Sequence, residues 1–157
     1  MDDIDAVCEI YAGARAFMRE YGNTEQWKDG HPSLEIIEGD IRDGLSYVCV
    51  DGDDIAAVFF YSADRDPTYA KIDGRWLNDE PYGVVHRIAR SRRVKGAGGF
   101  CLEWCLGQCR NLRLDTHRDN APMRRLLEKL GFTYCGIIWL ENGDERMAYQ
   151  KVISNTG

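Results

Sequence analysis

The segment that decides the fold reads YGVVHRIARSRRVKGAGGF, residues 82–100. Its first part, Tyr82–Arg90, has β-branched and apolar residues at its centre and predicts a strand. Its last nine residues, Arg92–Phe100, hold three glycines and three basic residues. We call these nine residues the glycine loop. An apolar stretch that predicts a helix follows this loop. The N–H groups at the start of a helix have no partners within the helix and can bind anions. Glycines let an anion approach these groups closely, because they have no side chain in the way. The loop therefore predicts a phosphate or pyrophosphate site, with a flexible loop of solvated charges as the alternative.

Two common phosphate-binding patterns do not describe this loop. The pattern G-x-x-x-x-G-K-[ST] is absent, which argues against a P-loop NTPase. Gly96 and Gly98 are followed by Cys101 where the dinucleotide-binding fingerprint requires its third glycine. A Rossmann cofactor site is therefore not expected either.

Length and composition indicate one soluble domain covering residues 1–157. The chain has a mass of 17.9 kDa, with 44% hydrophobic and 29% charged residues, as is usual for globular proteins. No apolar run reaches the roughly 18 residues that span a bilayer, and the N-terminus is acidic, so we expect a cytoplasmic protein without a membrane partner. The net charge of −6 argues against nucleic acid as a partner and would suit a cationic substrate.

Working outward from the glycine loop, we predict the element order α-α-β-β-β-β-α-β-α-β-β. This order indicates a mixed α/β domain with helices on a central sheet. One face of the first helix should be buried, and it is formed by Val7, Ile10, Ala14, Phe17 and Met18. The residues after the glycine loop are apolar nearly all round, which predicts a deeply packed helix.

The segment NAPMRRLLEKLGF carries strong signals for the last helix. Asn120 is the predicted N-cap and Gly131 the predicted C-terminal stop. The predicted buried face consists of Met123, Leu126, Leu127 and Leu130. The side chains expected to face water are those of Arg124, Arg125, Glu128 and Lys129.

The six cysteines do not show the paired C-x-x-C spacing of a zinc site. Cys101, Cys105 and Cys109 form one stripe of the helix that follows the glycine loop. We expect them to pack as small buried hydrophobic residues, and we expect no metal. Metal binding and a catalytic thiol are the alternatives.

The sequence resembles the GNAT acetyltransferase superfamily. Arg93 to Gly98 match its signature R/Q-x-x-G-x-G/A, which binds the pyrophosphate of acetyl-CoA. HRIAR lies where the family has its fourth strand, and LRLDTHRDNAPMRRLLEKLGFTYCGII is similar to the next strand and a helix that ends in LGF. The resemblance is strong from about Tyr82 to Leu140, looser in the N-terminal half, and points to an uncharacterised branch.

This resemblance implies a mostly antiparallel sheet that splays between strands 4 and 5, with acetyl-CoA as co-substrate. Its pantetheine would pair with the backbone of Ile88, Ala89 and Arg90 and contact Asn120. The pyrophosphate would lie on Arg93, Val94, Lys95, Gly96, Ala97, Gly98, Gly99 and Phe100. Two departures are a short connection before Arg93 and a charged Arg90 in place of an apolar residue, so the turn is expected to be tight.

The catalytic groups are less clearly marked. Many family members have a tyrosine that protonates the CoA thiolate at the place of Leu127, so the usual acid is missing. Tyr134 is the nearest aromatic hydroxyl and is either that acid or a strand residue packed in the sheet. For the base we choose His86, with Glu80 and Asp79 as competitors and a buried core histidine as the alternative.

The resemblance therefore implies an acetyl-CoA-dependent N-acetyltransferase. It would act on a small-molecule or amino-acid-like amine by direct attack in a ternary complex, as a monomer or homodimer. A catalytically weak acyl-CoA-binding or sensing domain is the alternative function, and nucleic-acid binding through the basic loop is a third.

Overall fold

The computed structural model describes residues 3–28 and 30–153. Its helices are α1 Ile4–Glu20, α2 Leu34–Arg42, α3 Ala97–Cys109 and α4 Ala121–Lys129. Its strands are β1 Ser46–Asp51, β2 Asp54–Ser62, β3 Asp73–Gly74, β4 Gly83–Arg90, β5 Asn111–Thr116, β6 Thr133–Trp139 and β7 Glu145–Val152. Among the described residues, no helix has both the length and the apolar character needed to cross a membrane.

The seven strands form one mixed sheet in the order β1-β2-β4-β5-β7-β6-β3. Strands β4 and β5 run parallel, with Gly83 opposite Leu112 and Val84 opposite Arg113. The pairs β1–β2, β5–β7, β6–β7 and β3–β6 are antiparallel. The predicted α/β fold with a mostly antiparallel sheet is confirmed.

The chain divides into two compact units. Of the described residues, those within Met1–Tyr61 and His86–Leu102 form the first unit, and those within Ser62–Val85 and Glu103–Gly157 form the second. In the first unit, helices α1 and α2 bury one face each around a core of Val7, Tyr11, Ile37, Val58 and Ala89. The helical periodicity correctly predicted that Val7 and Met18 are buried, but it did not include Tyr11, which is only 2% exposed.

In the second unit, residues 63–82 form what we call the covering segment. The third of the four consecutive strands predicted from the sequence falls here, but the structure has a short 3₁₀ helix, Pro67–Ala70, and only the two-residue strand β3. Tyr69 and Tyr82 of this segment are buried with Val84, Ile138 and Ala148. The many breaks explain why no regular period of two was visible in the sequence.

The covering segment is joined to β6 through a very close approach of two glycines. Gly74 pairs with Gly136 in the β3–β6 ladder, at φ values of 138° and 142°. A Cβ added to Gly74 would lie 2.1 Å from the carbonyl oxygen of Cys135, and one added to Gly136 would lie 2.2 Å from that of Asp73. Neither position has room for a side chain.

Helix α3 corrects one prediction. It was expected to be deeply packed all round, but Phe100 is 62% exposed and Trp104 is 39% exposed. Cys101, Leu102, Cys105 and Leu106 are buried, as predicted. The helix is therefore buried along one face, and two large apolar side chains lie on its other side.

Helix α4 largely follows its sequence signals. The side chain of Asn120 caps it by accepting a hydrogen bond from the Met123 N–H at 3.1 Å, and Gly131 follows its end at a φ of 85°. Leu127 is completely buried. Arg124 was expected to face water, but it is only partly exposed and donates from Nη1 to the Arg118 carbonyl at 3.0 Å.

Candidate functional site

The glycine loop follows β4 in the first unit. The Ser91 N–H donates to the Ala56 carbonyl of β2 at 2.8 Å, and the Ser91 side-chain oxygen accepts from the Arg93 N–H at 3.2 Å. Gly96 then turns the chain with a φ of 80°, in the left-handed region that residues with a Cβ rarely adopt. No atom lies within 4 Å of the Cβ position at Gly96, so the outer side of this turn is open.

Helix α3 begins directly after this turn. The Gly96 carbonyl accepts a hydrogen bond from the Phe100 N–H at 3.0 Å. The N–H groups of Ala97, Gly98 and Gly99 therefore belong to the first turn of the helix, where no carbonyl of a preceding turn is present to accept their hydrogen bonds. The side chains of Arg93 and Lys95 are exposed beside it. N–H groups at a helix start, with two cations nearby, form a suitable site for a phosphate or pyrophosphate.

The remaining basic residue of the loop has a different environment. Arg92 donates from Nη2 to Glu20 at 2.6 Å, and its guanidinium lies 4.5 Å from the ring centre of Phe17. Both charged side chains of this pair are more than half exposed. Arg92 therefore links the loop to α1, while Arg93 and Lys95 remain the candidates for anion binding.

Strand β4 has an unusual backbone just before the predicted pantetheine-binding residues. Arg87 has a φ of 49°, although an arginine in an extended strand normally has a negative φ. Its carbonyl accepts a hydrogen bond from the Tyr11 hydroxyl of α1 at 2.9 Å. Burial raises the pKa of Tyr11 above its usual value of 10, so the hydroxyl keeps the proton it donates.

The side chain of Arg87 is fixed as firmly as its backbone. It donates from Nε and Nη2 to the two carboxylate oxygens of Asp40, each at 2.8 Å, and its guanidinium lies 4.6 Å from the ring centre of Phe60. Sequence reasoning missed this arrangement of α1, α2 and β4. An acidic residue on a short amphipathic helix gives no signal that an arginine 47 positions later will pair with it.

The predicted base and the predicted pantetheine-binding residues flank Arg87 in the same strand. His86 is half-buried, and its ring centre lies 5.7 Å from that of Phe60. Ile88 is half-buried, Ala89 is buried and Arg90 is exposed. The first unit therefore brings together His86, the segment Ile88–Arg90 and the glycine loop.

The other predicted site residues belong to the second unit. Asn120 is 5% exposed and caps α4. Tyr134 lies on β6 and is half exposed, and its ring packs edge-to-face with that of Tyr149, the ring centres being 5.7 Å apart. Glu80 is exposed in the covering segment, and its N–H donates to the side chain of Asn78 at 3.3 Å. Leu127, at the place of the family's tyrosine, is fully buried.

The cysteine stripe has the environment expected of packing residues. Cys101 and Cys105 are each 1% exposed, and Cys109 donates from Sγ to the Cys105 carbonyl at 3.1 Å. Burial raises the pKa of Cys101 to about 12, which disfavours the thiolate. Within residues 3–28 and 30–153, no three potential ligands among His, Cys, Asp and Glu are placed to hold a metal ion.

The fold has counterparts among solved structures. An acetyltransferase of the GNAT family from Streptococcus agalactiae 2603 aligns with a TM-score of 0.89 and 31% identity, over 98% of this chain and 92% of that chain. A putative acetyltransferase from Staphylococcus aureus Mu50 aligns with a TM-score of 0.72 and 24% identity, over 98% of this chain and 95% of that chain. The ribosomal-protein-S18-alanine N-acetyltransferase from Escherichia coli aligns with a TM-score of 0.66 and 19% identity, over 100% of this chain and 92% of that chain. It therefore shares the fold.

The sequence itself identifies the family. A comparison with curated protein sequences gave no match. The family model described as acetyltransferase (GNAT) matches residues 7–132, a range that includes β4, the glycine loop and all of α4. Together with the 31% identity to the streptococcal acetyltransferase, this match shows that the chain belongs to the GNAT family of acetyltransferases.

Proposed function

We propose that this acetyltransferase uses acetyl-CoA to acetylate the amine of a small-molecule or amino-acid-like acceptor. The observation that carries this proposal is the turn at Gly96, which leads directly into the first N–H groups of α3. It provides an open, positively charged anion site immediately after a strand, in a chain of the family that transfers acetyl groups.

The residues present fit acetyl-CoA. The pyrophosphate would be held by the backbone from Val94 to Phe100, with Arg93 and Lys95 adding positive charge. The backbone of Ile88, Ala89 and Arg90 would hold the pantetheine arm, and Asn120 is a further candidate contact. Bound acetyl-CoA supplies an activated acetyl group in the form of a thioester.

Acetyl transfer then requires two proton movements. A bond forms between the amine nitrogen and the acetyl carbon while the carbon–sulfur bond breaks, so the amine loses a proton and the CoA sulfur gains one. His86 is the proposed base, because a neutral imidazole nitrogen can accept that proton, directly or through water. Glu80 is the competing carboxylate, and Asp79 precedes it.

Charge that develops on the thioester oxygen needs a hydrogen-bond donor. The proposed donor is the N–H of Ile88, the residue that follows the left-handed Arg87. Tyr11 and Asp40 contact Arg87 and so would position this N–H without touching the substrate. Leu127 cannot donate a proton to the departing sulfur, which leaves Tyr134 or water in that role.

The test uses the full chain, acetyl-CoA and a panel of amines that includes amino acids, polyamines and short peptides with free N-termini. Chromatography should show release of CoA that depends on one class of amine, and mass spectrometry should show a matching product heavier by one acetyl group. If acetyl-CoA raises the melting temperature but no amine is acetylated, the protein is an acyl-CoA-binding domain instead.

A further inference from the structure

One face of strands β5 and β7 in the second unit is polar although it is buried. Asn111 and Arg113 are 5% and 4% exposed, and Gln150, the register partner of Arg113, is fully buried. Buried polar side chains need hydrogen-bond partners, because they have lost those that water would supply. Their partners here come from each other and from the covering segment.

Asn78 of the covering segment satisfies much of this polar face. Its side-chain oxygen accepts from Asn111 Nδ2 at 3.0 Å, and its carbonyl accepts from Arg113 Nη2 at 2.7 Å. Gln150 donates from Nε2 to the side-chain oxygen of Asn111 at 2.6 Å. The two amide side chains are therefore well paired, which makes Arg113 the exception.

The guanidinium of Arg113 packs against two aromatic rings, but not all of its N–H donors have hydrogen-bond partners in the described part of the chain. Its guanidinium lies 4.2 Å from the ring centre of Trp76 and 4.0 Å from that of Tyr82. Its Nε has no hydrogen-bond partner among the described residues. Burial lowers the pKa of Arg113, while Tyr82 and Asp79 act in the opposite direction. A guanidinium stays protonated in proteins, so this is a buried cation with an unused donor.

Arg113 lines a cavity of about 390 Å³. The volume lies in the range of small-molecule sites. Three aromatic side chains line it, and each already makes a hydrogen bond. The Tyr69 hydroxyl donates to Asp115 at 2.7 Å, Trp76 Nε1 donates to the Tyr69 carbonyl at 3.0 Å, and the Tyr82 hydroxyl oxygen accepts from the Asp66 N–H at 3.2 Å. Arg65 and Arg113 are the cationic donors among the residues that line this cavity.

The charges around the cavity select for one kind of ligand. Arg113 and the exposed Arg65 are positive, and Asp66 and the exposed Asp79 are negative. The two carboxylates oppose a ligand with several negative charges, such as a phosphate dianion. A molecule with one carboxylate and one ammonium group satisfies both signs, and guanidinium is the side chain best matched to a carboxylate.

We propose that this cavity binds a zwitterionic amino acid, with its carboxylate on Arg113 and its ammonium group toward Asp79. Arg113 acts here as a binding residue that determines specificity for a carboxylate. The inference rests on the proposed function in one respect, since it makes this amino acid the amine that accepts the acetyl group.

Binding can be measured on the wild-type chain without acetyl-CoA. In ¹⁵N-labelled protein, the resonances of Arg113 Nε–H and the Trp76 indole N–H are followed while phenylalanine, phenylalanine amide, phenethylamine or inorganic phosphate is added. We expect phenylalanine to shift both signals until they saturate. Its affinity, taken from that saturation, should be at least ten times higher than the affinity of each of the other three compounds. Equal affinity for the amide, or tighter binding of phosphate, would overturn the proposal.

Two variants complete the binding test. Arg113→Lys keeps a positive charge but loses the planar pair of donors, so the affinity for phenylalanine should fall at least tenfold. Arg125→Gln removes an exposed arginine of α4 and serves as the matched control with unchanged affinity. Unchanged binding by a folded Arg113→Lys would also overturn the proposal. If that variant does not fold, the wild-type comparison of acid and amide decides the question.

Acetylation assays separate this inference from the proposed function. If amino acids bind in an Arg113-dependent manner but no amine of any kind is acetylated, the proposed function fails and the binding site stands. If only amines without a carboxylate are acetylated, the proposed function stands and the assignment of this cavity to the acceptor is wrong. Acetylation of phenylalanine but not of its amide supports both.

Discussion

Arg87 donates to both carboxylate oxygens of Asp40, through Nε and Nη2, at 2.8 Å each. The two side chains are only 19% and 13% exposed. This two-point contact ties α2 to the one residue of β4 that has a left-handed backbone. It therefore stabilises the local backbone on which the proposed contacts of Ile88 to Arg90 depend.

Asp40→Asn should cost about 2–3 kcal/mol of unfolding free energy. The change leaves a largely buried arginine without its counter-charge, and a fully buried pair costs about 3–5 kcal/mol to break. Urea denaturation measures the loss. Glu20→Gln is the control, because it breaks the exposed pair with Arg92 and should cost less than about 1 kcal/mol. Equal losses in the two variants would show that burial does not set the strength of the Arg87 pair.

Gly96→Ala should lower both stability and the response to acetyl-CoA. A residue with a Cβ in the left-handed conformation costs roughly 1–2 kcal/mol, and relaxation of the turn would move the first N–H groups of α3. Gly107→Ala is the same chemical change inside α3, at a position with open space, and should stabilise by about 0.5–1 kcal/mol. Thermal melts with increasing acetyl-CoA measure both effects. A Gly96→Ala protein that responds like the wild type would place the pyrophosphate elsewhere.

Stability should fall above pH 9, in part because of Cys101. Burial raises the pKa of its thiol to about 12 in the folded protein, so the unfolded chain releases this proton first as the pH rises. The stabilising contribution is thus complete below pH 9 and is lost toward pH 12, by up to about 1.4 kcal/mol per pH unit. Urea titrations at pH 8, 9 and 10 should show a shallower decline for Cys101→Ala. Cys109→Ala is the control on the same helix, and identical slopes for the wild type and Cys101→Ala would contradict this prediction.

His86→Gln tests the proposed base. Turnover with an accepting amine should fall by roughly 10²-fold and recover in part at high pH, where more of the amine is neutral. The variant must first melt like the wild type and respond normally to acetyl-CoA. Unchanged turnover with an unchanged pH profile would make His86 a packing residue, and Glu80→Gln would then be the next variant to measure.

Tyr134→Phe tests the proposed acid with little risk to the fold, since Tyr134 is half exposed and its ring can keep its contact with Tyr149. If the hydroxyl protonates the CoA sulfur, turnover should drop on the order of 10²-fold while the melting temperature stays constant. Undiminished turnover would leave water as the proton source.

The features that could be predicted from the sequence depend on short stretches of chain. The turn at Gly96, the cap at Asn120 and the stop at Gly131 each follow from a few neighbouring residues with well-defined backbone preferences. The order of helices and strands followed from the same local patterns.

The features that could not be predicted depend on residues far apart in the chain. Tyr11 and Arg87 are separated by 76 positions, and nothing near either residue signals their hydrogen bond. The role of Arg113 was invisible for the same reason, because its partners belong to a segment without regular periodicity. The exposure of Phe100 was mispredicted because an apolar residue on a helix resembles a core residue in sequence.

The contact between Gly74 and Gly136 has a consequence for how this protein tolerates change. A Cβ added to either glycine would collide with the carbonyl oxygen of the residue that precedes the other glycine, and both obstacles are backbone atoms. A smaller neighbouring side chain therefore cannot rescue a substitution at either site. In a saturation library both positions should be depleted of every other residue, without second-site suppressors. A matching pair of glycines would then be a useful marker when searching genomes for chains that carry the same covering segment and, with it, the same cavity.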